Sequence, residues 1–384
     1  MWRSLASNML TFLVVALFLV GGVILWGQQQ YIASGPLDQA ICIQVKRGST
    51  MGDVSRDLEA EGAVSNAAIF RMGADYADKS SQLKAGSFLI EQSASMEEIV
   101  DVVTRGGAST CGTEVIYRIG VTRTLADVRE LDPQTNRFVE IAEFEIGVDE
   151  VPPEYTRVKQ DQDTRFRISM AEGVTSWQVV ESLNAMDILT GEVGDLPAEG
   201  SLAPDSYEVE QGDDRTALLA LMQTAQGLRI SDAWAQRAEG VPLSSPEEMV
   251  ILASIIEKET GVAEERGQVA SVFTNRLNRG MRLQTDPTVI YGITNGQGVL
   301  GRGLRQSELR RATPYNTYVI TGLPPTPIAN PGRASLEAAV NPDSTNYVFF
   351  VADGTGGHAF AETLEEHNRN VAVWRQIEAE RANN

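Results

Sequence analysis

The sequence predicts an α+β protein with a single transmembrane helix at its N-terminus, and three observations indicate this class. An uncharged apolar run lies near the N-terminus, between Leu10 and Trp26. Strand and helix patterns then alternate through the middle of the chain. Near residue 250 a helical pattern is apolar on every face, which predicts a buried helix at the centre of a last, mixed α+β domain. The 384 residues suffice for two or three domains of about 100–200 residues each.

The apolar run from Leu10 to Trp26 is close to the length that spans a bilayer and longer than a usual signal-peptide core. We predict a transmembrane anchor over residues 10–26, preceded by a short cytoplasmic segment over residues 1–9. The alternative is a cleaved signal peptide that ends in the small residues 33–35, which lack a clear A-x-A pattern. Arg3 precedes the run and no Lys or Arg follows it until Lys46, so the positive-inside rule places the N-terminus in the cytoplasm.

The net charge of −20 bears on the class of partner. Phosphate backbones require clustered Lys and Arg, and the sequence shows no such cluster, so we expect no nucleic-acid binding. Small neutral substrates, or polymers that carry their own positive charge, remain open.

Two cysteines, Cys42 and Cys111, both follow the apolar run. In an oxidising compartment they would pair and join the start of the first exported segment to its end. The alternative is two buried free thiols, because a sequence does not show whether two sulfurs approach each other.

Residues 40–108 have the pattern of a small α+β module. Its predicted elements are a strand at 41–45, helices at 50–61 and 67–77, a strand at 83–90 and a helix at 95–105. A weaker copy of the pattern covers residues 159–225, where RFRISMAEG, TSWQVVESLNAMDIL and LAPDSYEVEQGDDRTALLALM follow in the same order. Between the copies, residues 113–158 are acidic and rich in strand patterns, with Pro152 and Pro153 as a boundary.

The buried helix is predicted from Glu247 to Thr260, after Ser245 as N-cap and Pro246 at the first helical position. This helix lies in the last predicted domain of the chain, which covers residues 226–384. Two acids, Glu257 and Glu259, lie in its last turn.

The two acids differ in their surroundings, because helical side chains lean back over residues i−3 and i−4. Glu259 covers Ile255 and Ile256, and these apolar neighbours together with the negative end of the helix dipole favour a protonated acid. Glu257 covers smaller and more polar residues, where it stays ionised and braces neighbouring loops. The alternative for Glu259 is a structural carboxylate, held by an arginine at position 266, 276 or 282.

A second helix is predicted from Glu264 to Arg279. The stretches 281–293, 313–332 and 346–360 are then rich in Thr, Asn, Gln, Tyr, Pro and Gly. This composition predicts loops and short strands that line a polar groove, since sugar hydroxyls need hydrogen bonds and sugar C–H faces pack on aromatic rings. An ordinary turn-rich surface has the same composition.

The motifs ASIIEKET, FTNRL, GMRLQTDPTVIYG, TPYNTY, ITGLPPTPIANPG and FFVADGTGGHAF occur in this order. Together they resemble the YceG-like family, the MltG endolytic murein transglycosylases, over roughly residues 246–370. The resemblance implies that the two modules are LysM-like. The chain departs from the family pattern at 113–158 and in repeating the module.

The family implies cleavage of the MurNAc–GlcNAc bond within nascent peptidoglycan strands, which leaves 1,6-anhydroMurNAc ends and terminates glycan elongation. This is a lyase activity (EC 4.2.2.-), and the catalytic glutamate of the family corresponds to Glu259. The residues expected to bind or orient the sugar are Glu257, Gln284, Thr285, Asp286, Tyr315, Asn316, Thr317 and Tyr318. The implied location is the cytoplasmic (inner) membrane, with the catalytic domain in the periplasm and with glycan synthases or penicillin-binding proteins as partners.

Two other functions remain open at this stage. One is a two-carboxylate peptidoglycan hydrolase that uses Glu259 with Asp286 or Glu257. The other is a non-catalytic cell-wall binding scaffold. We expect no metal and no cofactor, because His358 and His367 are too few and too far apart for a recognisable zinc site. The sequence DGTGGH lacks the ending of a phosphate loop and predicts a turn.

The charge pattern around the apolar run gives a first testable prediction. A reporter enzyme fused after Asn384 should be active only on the exported side of the membrane, because Arg3 holds the N-terminus in the cytoplasm. Alkaline phosphatase and a cytoplasm-specific fluorescent protein, fused in parallel, measure the two sides. Activity of the cytoplasmic reporter alone would exclude any wall-cleaving function.

Overall fold

The computed structural model describes residues 2–105, 110–161 and 164–382. The predicted module boundary at residue 108 and the C-terminal Asn384 lie outside the described residues. The chain forms two compact units. The first comprises Met1–Val115, Val128–Ala142 and Pro152–Arg165, and the second comprises Ile116–Asp127, Glu143–Val151 and Phe166–Asn384.

The first unit contains the elements that the sequence predicts for the first module. They are β1 (Ile41–Val45), α2 (Met51–Ala60), α3 (Ala67–Tyr76), β2 (Gly86–Ile90) and α4 (Met96–Thr104), and they follow α1 (Trp2–Ile32), which contains the predicted anchor. The predicted first residues of two helices are N-caps instead, because Thr50 and Ser95 have extended backbones and accept the first free N–H groups with their hydroxyls. Strands β1 and β2 pair antiparallel, with Ile41 opposite Ile90. The helices bury their apolar faces against this pair.

Helix α1 is long and apolar enough to cross a membrane between Met9 and Ile32. The predicted run of residues 10–26 lies inside this span, and the helix continues for more than a turn beyond it. Near its end Tyr31 packs so closely on α3 that a side chain at Gly73 would overlap its ring. The helix is therefore compatible with a membrane anchor that runs directly into the packing of the first unit.

A disulfide joins Cys42 and Cys111, whose Cα atoms are 5.8 Å apart. Of the two alternatives that the sequence left open, the structure has the paired one. Cys111 is fully buried and packs with Leu89 and Leu131. The bridge therefore fixes the far end of the module, at residue 111, to its first strand.

The predicted strand-rich segment contains three long strands and a short helix, followed by the second copy of the pattern. These elements are β3 (Thr113–Ile119), β4 (Thr124–Asp132), β5 (Arg137–Glu145), α5 (Pro153–Lys159), β6 (Arg165–Met170), α6 (Ser176–Ala185), β7 (Ser206–Val209) and α7 (Arg215–Ala235). One sheet has the strand order β5-β4-β3-β6-β7.

The second copy repeats the element order of the first. Strands β6 and β7 pair antiparallel, with Phe166 opposite Val209, and each strand is followed by a helix, as β1 and β2 are. One helix, α6, stands between the paired strands where the first copy has both α2 and α3. The second copy therefore has the element order of the first with one helix fewer. The LysM-like character of both copies stays a prediction.

The rest of the second unit is built around α8. Its elements are α8 (Pro246–Glu259), α9 (Arg266–Asn278), α10 (Asp286–Thr294), α11 (Gln306–Arg310), α12 (Arg333–Val340), β8 (Phe349–Ala352), β9 (His358–Ala361) and α13 (Leu364–Ala382). Helices α7, α9, α10 and α12 all pack against α8. This confirms the predicted buried helix, because every side chain from Met249 to Ile256 is buried.

Two predictions for this region need correction. Residues 286–294 form helix α10, where the composition predicted loops and short strands. Thr, Val, Ile and Gly are weak helix formers, so the helix depends on packing against α8 rather than on propensity. The predicted helix from Glu264 begins at Arg266, after a 3-10 turn at Ala263–Glu265.

The turn predicted for DGTGGH is confirmed and joins β8 to β9 in a hairpin.

The disulfide gives a second prediction, on stability. The two bridged cysteines are 69 positions apart in sequence. For a loop of this length the chain-entropy model gives a stabilisation of about 4 kcal/mol as an upper figure. Reduction, or the double substitution C42S/C111S, should therefore lower the melting temperature of the exported part, measured by circular dichroism with and without reductant. The reductant should have no effect on the double variant. Two alkylatable thiols in the native, unreduced protein would contradict the bridge.

Candidate functional site

The last turn of α8 places an acid at the edge of an apolar core. Ser245 caps the helix by accepting the N–H of Glu248 at 3.3 Å, and the helix ends at Glu259. The side chains before that turn are buried, whereas Glu257 and Glu259 are partly exposed. The helix thus carries its two terminal acids to a surface, with the negative end of its dipole beside them.

The Glu259 carboxyl has one hydrogen-bond partner among the described residues, the hydroxyl of Thr285, which donates to its Oε1. Thr285 is itself buried and directly precedes α10. The turn into this position has Gln284 in the left-handed region, with φ of +50°. That exposed residue lets the chain reverse so that the next side chain faces α8.

Thr317 in turn positions Thr285. Its hydroxyl accepts the backbone N–H of Thr285 at 3.0 Å and shares a 2.9 Å hydrogen bond with the hydroxyl of Thr288. Thr288 also donates to the carbonyl of Thr285 at 2.8 Å. Since Thr317 and Thr288 are fully buried, these three threonines form a closed internal network.

Asn316 holds the neighbouring loop. Its side-chain amide donates to the carbonyls of Glu308, Leu309 and Arg311 at 2.7–3.1 Å, and its oxygen accepts the N–H of Tyr318 at 3.0 Å. It is fully buried.

The predicted direct contact of Asn316 and Thr317 with sugar therefore needs correction. Both side chains are buried, and their polar atoms are already bonded inside the protein. Their role in this structure is to shape the loop that carries exposed groups.

Asp286 and Tyr318 form a second polar pair at the site. The Tyr318 hydroxyl donates to Asp286 Oδ1 at 2.6 Å. Burial and this hydrogen bond raise the pKa of Tyr318, so the phenol keeps its proton at neutral pH. The negative charge of Asp286 also reaches Glu259, where it adds to the rise in pKa.

Burial is the main cause that raises the pKa of Glu259 above the usual value for glutamate. The hydrogen bond from Thr285 and the electrostatic influence of His358 and Arg276 act in the opposite direction but do not reverse the shift. This agrees with the expectation that Ile255 and Ile256, both fully buried, favour the protonated acid.

The alternative of a carboxylate held by an arginine is not what the structure shows. Among the described residues none of the three arginines forms an ion pair with Glu259. Arg276 donates from Nε to the carbonyl of Val348 at 2.7 Å, and Arg282 donates to the carbonyl of Tyr318 at 3.1 Å.

Glu257 points to a different part of the unit. Its Oε2 accepts the N–H of Gly332 at 2.9 Å, at the first turn of α12. A side chain at Gly332 would overlap the carboxyl end of Glu172, which would have to move away. Glu257 therefore braces α12, as the helical-face argument predicted, and has no contact with Glu259.

Two side-chain pairs near the site, Tyr291–Glu199 and His358–Glu265, were not predicted from the sequence. Tyr315, a predicted sugar contact, packs against Tyr291 with ring centroids 5.1 Å apart. The Tyr291 hydroxyl donates to Glu199 at 3.2 Å. Burial raises the pKa of Glu199 even though it accepts this bond. The only sequence signal was Tyr291 within the motif GMRLQTDPTVIYG.

His358 belongs to the second such pair. Its Nδ1 lies 2.8 Å from Glu265 Oε2, and its backbone N–H donates to the other carboxylate oxygen at 2.8 Å. Its ring lies edge-on to Phe350, at 5.2 Å between centroids. No local pattern signals this pairing, because the two residues are 93 positions apart.

The arrangement as a whole offers one acid with a raised pKa, a buried hydroxyl that orients it, and a phenol–carboxylate pair beside it. The described residues contain no group of three His, Cys, Asp or Glu that could hold a metal ion. Such a site can donate a proton to a leaving oxygen and recover one afterwards.

Comparison with known proteins gives a family match and several relatives. The model of the YceG-like family matches residues 43–373. An endolytic murein transglycosylase of Streptococcus pneumoniae is 28% identical over 377 residues, which cover 94% of this chain and 64% of that protein. An endolytic murein transglycosylase of Bacillus subtilis is 37% identical over 173 residues, 45% of this chain and 47% of that protein.

The chain thus spans less than two thirds of the length of these relatives. Among solved structures, a putative YceG-like protein of Listeria monocytogenes aligns with a TM-score of 0.45 and 24% identity. The alignment covers 86% of this chain and 98% of that one.

The raised pKa of Glu259 gives a third prediction, on stability against pH. A carboxyl whose pKa is higher in the folded state contributes stability below its unfolded pKa and loses that contribution as the pH rises through its folded pKa. Glu259→Gln should therefore melt at the same temperature as the wild type near pH 4 and at a higher temperature at pH 8. Differential scanning calorimetry at both pH values measures this.

The matched control is Glu257→Gln on the same helix turn. It removes the charged acceptor at the N-terminus of α12 and should lower the melting temperature at pH 8. A Glu259→Gln protein that is less stable than the wild type at pH 8 would show that the fold favours the ionised carboxyl and that its pKa is not raised.

Proposed function

This chain belongs to the YceG-like family, and we propose that it is a membrane-anchored endolytic murein transglycosylase. Its reaction is the cleavage of the MurNAc–GlcNAc bond within a glycan strand, which leaves a 1,6-anhydroMurNAc end. The observation that carries the proposal is the setting of Glu259, one carboxyl with a raised pKa that hydrogen-bonds to a neutral hydroxyl and to no second carboxylate among the described residues. The murein transglycosylases among its relatives support the choice of substrate.

In the first step Glu259 acts as a general acid. Its raised pKa favours the protonated form, and the proton passes to the glycosidic oxygen as the bond to the MurNAc C1 breaks. Thr285 holds the carboxyl through Oε1, which leaves the other oxygen free to face the sugar. The departing GlcNAc end becomes a neutral alcohol.

In the second step the substrate supplies its own nucleophile. The C6 hydroxyl of MurNAc attacks C1, and Glu259, now a carboxylate, takes the hydroxyl proton. The ring closes to the 1,6-anhydro sugar, the enzyme regains its protonated acid, and no water is consumed. One carboxyl therefore suffices, in contrast to the two that glycoside hydrolases use.

The other residues of the site divide into two roles in this proposal. Asp286 and Tyr318 offer charge and a phenol beside the position where positive charge develops at C1. Gln284 and Tyr315 present exposed or half-buried groups for sugar hydroxyls and ring faces. The buried Thr285, together with the loop residues beneath it, positions the acid.

The cellular setting is also part of the proposal. Helix α1 anchors the chain in the cytoplasmic (inner) membrane, with the N-terminus in the cytoplasm and the catalytic unit in the periplasm. LysM-like modules over residues 40–108 and 159–225 bind the glycan near the membrane. Cleavage of nascent strands there terminates elongation beside glycan synthases or penicillin-binding proteins.

A two-carboxylate hydrolase is the second candidate, because the charge of Asp286 reaches Glu259. That enzyme would activate water and release reducing ends, whereas a transglycosylase releases anhydro ends. The products of digestion, identified by mass spectrometry, distinguish the two reactions.

The fourth prediction concerns Glu259 in the reaction. Glu259→Gln keeps the shape and the bond to Thr285 but has no exchangeable acidic proton, so the rate of strand cleavage should fall by about 10²–10⁴-fold or more. Glycan binding, measured by co-sedimentation with insoluble murein, should remain. Muropeptide analysis by mass spectrometry measures the loss of anhydro ends.

Glu257→Gln is the matched control, two residues away on the opposite side of the helix. It should retain part of the activity, because its contact is with α12 and not with the acid. A folded but inactive Glu257→Gln protein beside a fully active Glu259→Gln protein would reverse the assignment of the catalytic residue.

A further inference from the structure

Arginines concentrate in one segment of this acidic chain. Between residues 279 and 318 there are six basic residues against the two acids Asp286 and Glu308, a local net charge of +4 in a protein of −20. The basic residues are Arg279, Arg282, Arg302, Arg305, Arg310 and Arg311. Along the sequence these arginines are dispersed and form no continuous basic run.

Of the two acids in this segment, Glu308 is paired with an arginine. Glu308 binds Arg302 through both oxygens, at 2.9 and 2.6 Å, and also accepts the backbone N–H of Arg305 at 2.7 Å. These contacts lower the pKa of Glu308 to about 2. Glu308 therefore stays ionised and paired with Arg302, and its charge also acts on Arg305, whereas Arg310 and Arg311 are not among the groups that lower its pKa.

Three of the remaining arginines are exposed on and beside α11. The side chains of Arg305, Arg310 and Arg311 form no ion pair with any described residue. In so acidic a protein, three neighbouring unpaired guanidinium groups make a surface that attracts anions.

Buried hydrogen bonds connect this surface to the loop that supports Glu259. The Asn316 amide binds the carbonyls of Leu309 and Arg311, so α11 is fixed to the loop that contains Thr317. Arg282 joins the same loop from the other side through the carbonyl of Tyr318, at 3.1 Å.

The same loop also supports the acid. Thr317 positions Thr285, and Thr285 binds Glu259. One loop therefore carries both the support of the acid and the arginines.

We propose that Arg282, Arg305, Arg310 and Arg311, the arginine patch, bind the free carboxylates of the peptide stems that murein glycan carries. The proposal rests on the proposed function and adds a substrate determinant to it. The patch would select glycan strands with peptide stems over strands without them.

The chemistry of arginine supports carboxylates as the ligand. A guanidinium presents a planar fork of N–H donors that matches a carboxylate with two parallel hydrogen bonds, which a lysine ammonium does not. Every basic residue after Lys258 in this chain is an arginine or a histidine. The glycan backbone offers hydroxyls and amides, so the anionic groups of the substrate lie on its stems.

A membrane of anionic lipids is a different occupant for the same charge. The attachment of the patch to the loop beneath Glu259 favours the stems, because any strand cut at Glu259 must pass beside this loop. The experiment therefore also measures cleavage in vesicles that contain an anionic lipid.

The experiment compares two substrates with the full chain reconstituted in phosphatidylcholine vesicles. One substrate is uncrosslinked glycan with intact stems, and the other is the same glycan after removal of the stems by an amidase. The variants are R305Q/R310Q/R311Q and, as a control with the same change in charge, R71Q/R123Q/R375Q, three exposed arginines outside the patch. Circular dichroism and melting temperature check that each variant folds.

We expect the wild type and the control to cleave stem-bearing strands about tenfold faster, as kcat/KM, than stem-free strands, which is the size that three exposed charge pairs support. The patch variant should lose most of this preference. A patch variant that keeps the wild-type ratio, or a wild type without preference, would overturn the proposal and leave the proposed function standing.

Two further outcomes would also overturn the stem proposal, each for a different reason. A loss of activity in the patch variant that appears only when phosphatidylglycerol is added to the vesicles would assign the patch to lipid and overturn the stem proposal. A wild type that cleaves neither substrate would remove the proposed function, and the stem proposal with it.

Discussion

The hydrogen bond between Thr285 and Glu259 is the contact on which the site depends. A carboxyl at the end of an apolar helix is desolvated, which raises its pKa, and it needs a partner that satisfies one oxygen without supplying a full charge. A threonine hydroxyl meets that need, whereas an arginine would hold the acid ionised. Since Thr285 lies 26 residues beyond Glu259, the fold must return the chain to α8 and hold it there.

Buried amide and hydroxyl side chains hold the chain in that position. The segments that approach α8 include long irregular loops, whose backbone groups lack the partners of a regular element. From one such loop, Asn316 donates to the carbonyls at the C-terminal end of α11. Asn330 binds the carbonyl of Val174 and the N–H of Leu202 in another. Much of the Asn and Thr content that suggested a sugar groove therefore serves internal bonding, and fewer groups remain to contact substrate.

The second copy of the repeated pattern is part of the same packed unit as the site. The N–H of Gly173 donates to the carbonyl of Asn330 at 3.0 Å, and Lys258, between the two terminal acids of α8, donates to the carbonyl of Gly173 at 3.2 Å. Glu257 meanwhile ties the helix to α12 through Gly332. The neighbours of Glu259 along the helix thus fasten α8 on both sides, and such fixed surroundings keep a catalytic group in its working geometry.

The sequence by itself determined most of the elements and the different settings of the two acids at the end of α8. Periodicity and capping residues such as Ser95 and Ser245 set helix ends to within about two residues, and the lean of helical side chains distinguished Glu259 from Glu257. These are local properties, which neighbouring residues encode. Only the tertiary structure decided the pairing of the two cysteines, the helix at residues 286–294 and the partners of Glu259. Each depends on residues distant in sequence that meet through packing, which no local pattern specifies.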